Sequence, residues 1–221
     1  MTSNTRPTPW VRRVLWTPVG LLVIAIVVIW AVEIVDAFGL DDRLQRHGIR
    51  PRRTDGLEGV AWAPLLHADF GHVASNSVPL LALGGLVAIR GMRYWGLVTV
   101  AVLVGGGALT WALAADGTHI GASGLVFGYL GAILGAAVFE RRPKALAPAL
   151  LAVGFYSGLL VGLVPQDFIS WEGHLFGMIV GIVVAWRLAE PRAPRMERPE
   201  DIQPWELDEP WLDGDPADWE Q

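Results

Sequence analysis

Six stretches of about twenty apolar residues, separated by short segments that hold most of the charge, leave this chain few ways to fold. A helix rises about 1.5 Å per residue, so some 20 apolar residues match a bilayer core about 30 Å thick. In hydrocarbon each backbone N–H and C=O must find its partner inside the segment, which makes each stretch a helix. The stretches lie at about 18–39, 70–89, 94–115, 120–139, 145–164 and 171–189. Of the 221 residues 52% are hydrophobic and only 18% charged, where a soluble domain carries about 25% charged residues. The expectation is an all-α integral membrane protein, a bundle of six transmembrane helices over 18–190. The first stretch is too long for a removable signal peptide and no small-residue cleavage site follows it.

Lys and Arg placement gives the orientation. With the N-terminus (1–17) in the cytoplasm, 12 of the 17 basic residues fall on the inner side, among them Arg90, Arg93, Arg141, Arg142, Lys144 and Arg187. The other five, Arg43, Arg46, Arg50, Arg52 and Arg53, sit in the long first loop, where Asp41, Asp42, Asp55 and Glu58 offset much of their charge. The expected location is the bacterial plasma membrane, with both termini inside. Trp62, Leu65 and Leu66 in that loop predict an amphipathic segment partly sunk into the interface.

The segment 191–221 is of another kind. From Glu197 to Gln221 it carries ten acids and one base, with Pro199, Pro204, Pro210 and Pro216. Such a composition cannot bury enough apolar surface to fold. Trp205, Trp211 and Trp219 recur in it; it reads either as a solvated acidic tail or as a docking motif for a protein partner. The chain has no Cys, so disulfides and thiolate metal sites are excluded. No metal, other cofactor or nucleic-acid partner is expected.

The second, fourth and sixth stretches run in the same direction and enter from the outer face. His72 and Asn76 fall in the first turns of the second, Ser123 in the first turn of the fourth, His174 in the first turn of the sixth. All four therefore lie within a few to about ten Å of one boundary. His72 and Asn76, four apart, share a helix face. Polar groups at membrane depth are costly and face an interior or a water-filled cavity. Gly124, Gly128, Gly131 and Gly135 on the fourth stretch, and Gly173, Gly177 and Gly181 on the sixth, allow backbone-to-backbone packing. If those faces meet, Ser123 and His174 come together, and a histidine in hydrogen-bond reach can make a serine nucleophilic. Singly, each residue has a plain packing reading; a shared layer is what packing does not explain. Glu33, Asp36, Asp116 and Glu172 read as interfacial, and His47, His67 and His119 as spare, with His67 a candidate to hold the first loop. Leu125 stands where a GxSxG elbow needs its last glycine, so an α/β-hydrolase is excluded.

The segments HADFGHVASN (67–76), GASG (121–124) and GHLFGMIVG (173–181) resemble, in order and helix position, the rhomboid intramembrane serine proteases, over roughly 57–188. The Arg-, Ala- and Gly-rich usage is similar to that of actinobacterial members. The resemblance implies an endopeptidase that cleaves transmembrane segments of proteins within the lipid bilayer. It makes Ser123 the nucleophile and His174 the general base of a dyad with no third acid. It implies that His72 and Asn76, with the Ser123 N–H, stabilise the oxyanion, and that Gly121, Gly124 and Phe127 support the site. Phe127 stands where relatives often carry a Tyr stacked on the histidine. The first loop reads GLEGVAWAP, without the Trp-Arg pair many relatives have. The fifth stretch and PQDFIS (165–170) would form the lateral gate. The alternative is a non-catalytic rhomboid-like protein that binds client helices. A small transporter is disfavoured, since no pair of broken helices occupies matching halves.

Overall fold

The computed structural model describes residues 16–166 and 169–189. The N-terminal segment to residue 15, Asp167 and Phe168 of PQDFIS, and the acidic tail lie outside them. Among the described residues there is no strand, and one isolated β-bridge joins Ile49 to His119. Helix α1 is Pro18–Gly39, α2 Phe70–Ala88, α3 Met92–Leu113, α4 Ser123–Glu140, α5 Pro143–Leu163 and α6 Trp171–Arg187. The first five are long and apolar enough to cross a membrane. The sixth has 17 residues, the lower end of the spanning range.

The helix starts follow from local chemistry. Thr17 accepts the Gly20 N–H at 3.1 Å and Pro18 opens α1; at that position the N–H that proline lacks would have had no partner. Asp69 caps α2 by accepting the His72 N–H at 2.7 Å, which fixes the turn that carries His72. Two helices change pitch. α3 contains a π-turn at Val102–Gly106, and α5 is α-helical over Pro143–Tyr156 and then 3-10 over Ser157–Leu163.

Helix α4 is the centre of the bundle. Of its apolar stretch 61% is buried, against 11% in α5. Val126, Tyr129, Leu130 and Ile133 pack on Leu80 and Leu83 of α2 and Val98 and Val102 of α3. The Tyr129 hydroxyl is paired with Thr99 Oγ1 at 2.8 Å, which removes the cost of burying it. The glycine faces meet: a β-carbon on Gly177 or Gly181 would overlap the carbonyl oxygen of Gly124 or Gly128, and one on Gly131 that of Met178. At the end of the bundle remote from Ser123, buried Glu140 and Arg90 form a two-pronged ion pair. Arg90 also lies over the Tyr94 ring.

The first loop packs on the protein more than the sequence predicts. It holds three 3-10 turns and the short helix Gly59–Trp62. Leu66 is buried; the Arg52 N–H donates to Trp111 O at 2.9 Å and Trp111 Nε1–H to Arg53 O at 2.9 Å. Trp62 stays half exposed. Three of the acids read as interfacial are buried: Glu33, Asp36 and Glu172. Asp36 accepts the Leu44 N–H at 2.9 Å, and Glu172 the Ala115 N–H at 3.2 Å. Both tie loops down, a use that spacing in the sequence does not reveal.

Candidate active site

Three helix N-termini converge on one recess. It is a cavity of about 860 Å³ whose lining includes His72, Asn76, Ser123, Phe127 and His174. All the residues that the sequence sets in one layer therefore border one space.

Ser123 is the first residue of α4. The segment before it is tied to the first loop at three points. The Gly121 N–H donates to Ala63 O at 2.8 Å, the Ala122 N–H to His67 Nε2 at 3.4 Å, and the Ile49 N–H to His119 O at 3.0 Å. As the first residue of α4, Ser123 presents an N–H that no helical carbonyl can accept, and it belongs to the open positive end of the helix. Gly121 has φ +108, where a side chain is strained. A methyl on it would lie 2.8 Å from His72 Nε2 and 3.7 Å from Ser123 Oγ. The missing side chain at Gly121 is thus the space between the His72 ring and the serine.

His174 lies in the first turn of α6, and its Nε2 is 2.7 Å from Ser123 Oγ. Its Nδ1 is 2.8 Å from Gly162 O. A carbonyl only accepts, so Nδ1 carries the proton and Nε2 is the bare nitrogen that faces the hydroxyl. Phe127 stacks on the imidazole, with ring centres 4.3 Å apart and planes 9° apart. The same reasoning fixes His72. Its Nδ1 accepts the Ala68 N–H at 3.4 Å, which leaves Nε2–H to point toward Gly121 and Ser123. Asn76 is buried and gives one amide hydrogen to His72 O at 2.9 Å; an amide has a second to offer. The set can move a proton from a hydroxyl to a ring nitrogen and can place N–H donors beside the oxygen.

Two histidines read as spare belong to the site's frame. His67 holds Ala122, next to the serine, and meets the His72 ring edge-on at 4.9 Å. Burial, with His72 beside it, pushes its pKa down to about 4. His119 Nδ1 pairs with Ser170 Oγ at 2.6 Å, and Ser170 O accepts the His174 N–H at 3.1 Å. His67 stands five residues before His72, and that spacing was the one available signal. Nothing in the sequence pointed to His119. His47 stays apart, paired with Glu58 at 2.9 Å.

This is a multi-pass helical membrane protein with a polar recess built on the N-termini of α2, α4 and α6. The Rhomboid domain profile matches residues 57–191, and the chain belongs to the rhomboid family, a family of intramembrane proteases with some inactive members. It is 36% identical over 199 residues to uncharacterized proteins of Mycobacterium bovis and Mycobacterium tuberculosis, covering 85% of this chain and 82% of theirs. It is also 36% identical over 191 residues to an uncharacterized protein of Mycobacterium leprae, covering 81% and 75%.

Proposed function

We propose that the protein is an intramembrane serine endopeptidase in which Ser123 is the nucleophile and His174 its general base. The observation that carries the reading is the 2.7 Å contact between Ser123 Oγ and a His174 Nε2 left bare by its Nδ1–H bond to Gly162. Ser123 Oγ attacks the scissile carbonyl as its proton passes to Nε2. The oxygen that gains charge is met by the Ser123 N–H, His72 Nε2–H and the second Asn76 amide hydrogen. Donors of this kind contribute about 10²–10³ each in rate. The imidazolium then protonates the departing amine, and water from the recess hydrolyses the acyl-serine.

The substrates are transmembrane segments of other proteins, cut near the outer end of their helices. An intact helix hides its carbonyls in its own hydrogen bonds, so the segment must unwind, which favours Gly or Pro near the cut. Beside Ser123 a cavity of about 60 Å³, with Gly106, Gly107 and Thr110 in its wall, leaves room only for a small side chain. The plasma membrane with cytoplasmic termini is the proposed setting, and the α5 end with residues 165–170 the proposed lateral gate.

The test is labelling of detergent-purified protein with a fluorophosphonate serine probe. Wild type should label, and Ser123→Ala and His174→Ala should not. If folded wild type neither labels nor cuts a model transmembrane substrate in liposomes, the protein is instead a binding member of the family.

A further inference from the structure

His174 is held by an element that is itself loosely held. Gly162, whose carbonyl accepts from Nδ1 at 2.8 Å, lies in the 3-10 turn Ser157–Leu163 that closes α5. None of the seven residues of that turn is buried, and α5 is the least buried of the membrane-length helices matched to α1–α5. Hydrogen-bond geometry in a 3-10 segment is poor, and runs beyond 3–4 residues are uncommon. Past the turn, Gln166 Nε2 donates back to Val161 O at 2.9 Å.

The two nitrogens of a neutral imidazole exchange roles. With Nδ1–H bonded to Gly162 O, Nε2 presents a lone pair to Ser123. Without that acceptor the ring is free to carry its proton on Nε2, which then faces a hydroxyl that must lose one. In three-residue triads a carboxylate prevents this, and loss of the correct tautomer costs up to about 10⁴ in rate. Among the described residues no carboxylate contacts His174 Nδ1. Phe127 sets the plane of the ring but does not choose between its nitrogens.

We infer that the Gly162 carbonyl is the positioning group for His174, so that the dyad is armed only while the closing turn of α5 is seated. The inference rests on the roles proposed for Ser123 and His174. When the turn lifts, the acceptor leaves with it and the base loses its working tautomer. The least anchored end of the bundle thereby gates the chemistry from 12 residues away in sequence.

The backbone can be displaced through Gly162 itself. A β-carbon there would lie 3.1 Å from His174 Nδ1 and 3.1 Å from Phe127 Cζ, so turn and ring must move apart by a few tenths of an ångström, and the further methyls of a valine add to that; at Gly158, in the same turn, a β-carbon would meet nothing within 4 Å. The experiment uses full-length protein with ¹⁵N-labelled histidine, the His174 ring signals being assigned by their loss in His174→Ala. Wild type should show the Nδ1–H form. Gly162→Val should shift the ring toward Nε2–H and slow fluorophosphonate labelling about 100-fold, with Gly162→Ala moving both in the same direction by less. Gly158→Val should change neither. A wild-type ring protonated on Nε2, or Gly162→Val with unchanged tautomer and labelling, overturns the inference. The tautomer is read without substrate. A wild type that neither labels nor cuts a model transmembrane substrate in liposomes, but whose tautomer follows residue 162, would refute the protease reading and leave the positioning role standing.

Discussion

Replacing Gly177 by Ala tests whether the separation of two helices sets the chemistry of the site. Gly177 is three residues past His174 on α6 and faces the backbone of Gly124, the neighbour of Ser123 on α4. A methyl there would overlap the Gly124 carbonyl oxygen and lie 2.9 Å from its carbon and 3.3 Å from its Cα, where ordinary contacts are 3.4–4 Å. Backbone cannot rotate away as a side chain does, so the helices must part by about 1 Å, at a cost of about 1–3 kcal/mol. The same movement stretches the 2.7 Å contact between Ser123 Oγ and His174 Nε2 beyond about 3.2 Å, where hydrogen bonding weakens. A misplacement of about 1 Å can cost about 100-fold in rate. Gly177→Ala should therefore melt several degrees lower and react about 100-fold more slowly with a fluorophosphonate. Gly85→Ala is the control, since its added β-carbon meets nothing within 4 Å. If Gly177→Ala labels as fast as wild type while Gly85→Ala is also silent, close backbone packing of α4 on α6 does not position the dyad.

Other substitutions probe other parts of the fold. Glu140→Ala should destabilise the protein by about 3 kcal/mol in chemical unfolding, because it leaves Arg90 partly buried without its carboxylate. Asn76→Ala should lower the cleavage rate about 10²–10³-fold while KM changes little, as expected of a donor used only in the transition state. His67 is neutral in the folded protein down to about pH 4, against 6.5 when unfolded. Between those values the unfolded chain binds the extra proton, so melting temperature should fall as pH drops from 6.5 to 4, and fall less in His67→Gln. Phe127→Ala should reduce activity with Ser123 and His174 still in place, a loss that Phe127→Tyr should not reproduce.

The helices were legible because a bilayer imposes one length and one hydrogen-bonding solution. The polar layer was legible because Ser123, His72, Asn76 and His174 sit at the starts of stretches running the same way, and counting residues from each start sets them side by side. The glycine faces also stood in the sequence, and they meet as their spacing implied. The roles of Asp36 and Glu172 were not legible. Each lies near a boundary, and whether a carboxylate faces water or a loop N–H depends on where the loop goes. His67 was read as holding the first loop, but its partner was not legible, and His119 was passed over, for the same reason: the atoms they hold, Ala122 N–H and Ser170 Oγ, lie 55 and 51 residues away.

By itself, then, the sequence determined the places of the helices, the common layer of the four polar groups and the faces able to pack closely, since these depend on local composition and on a 1.5 Å rise. Only the tertiary structure decided which nitrogen of His174 is bare and which group holds the other. That group is a backbone carbonyl, present at every residue and invisible to any reading of side chains. What selects Gly162 is the 3-10 turn that ends α5 and the absence of a side chain that would keep the ring away.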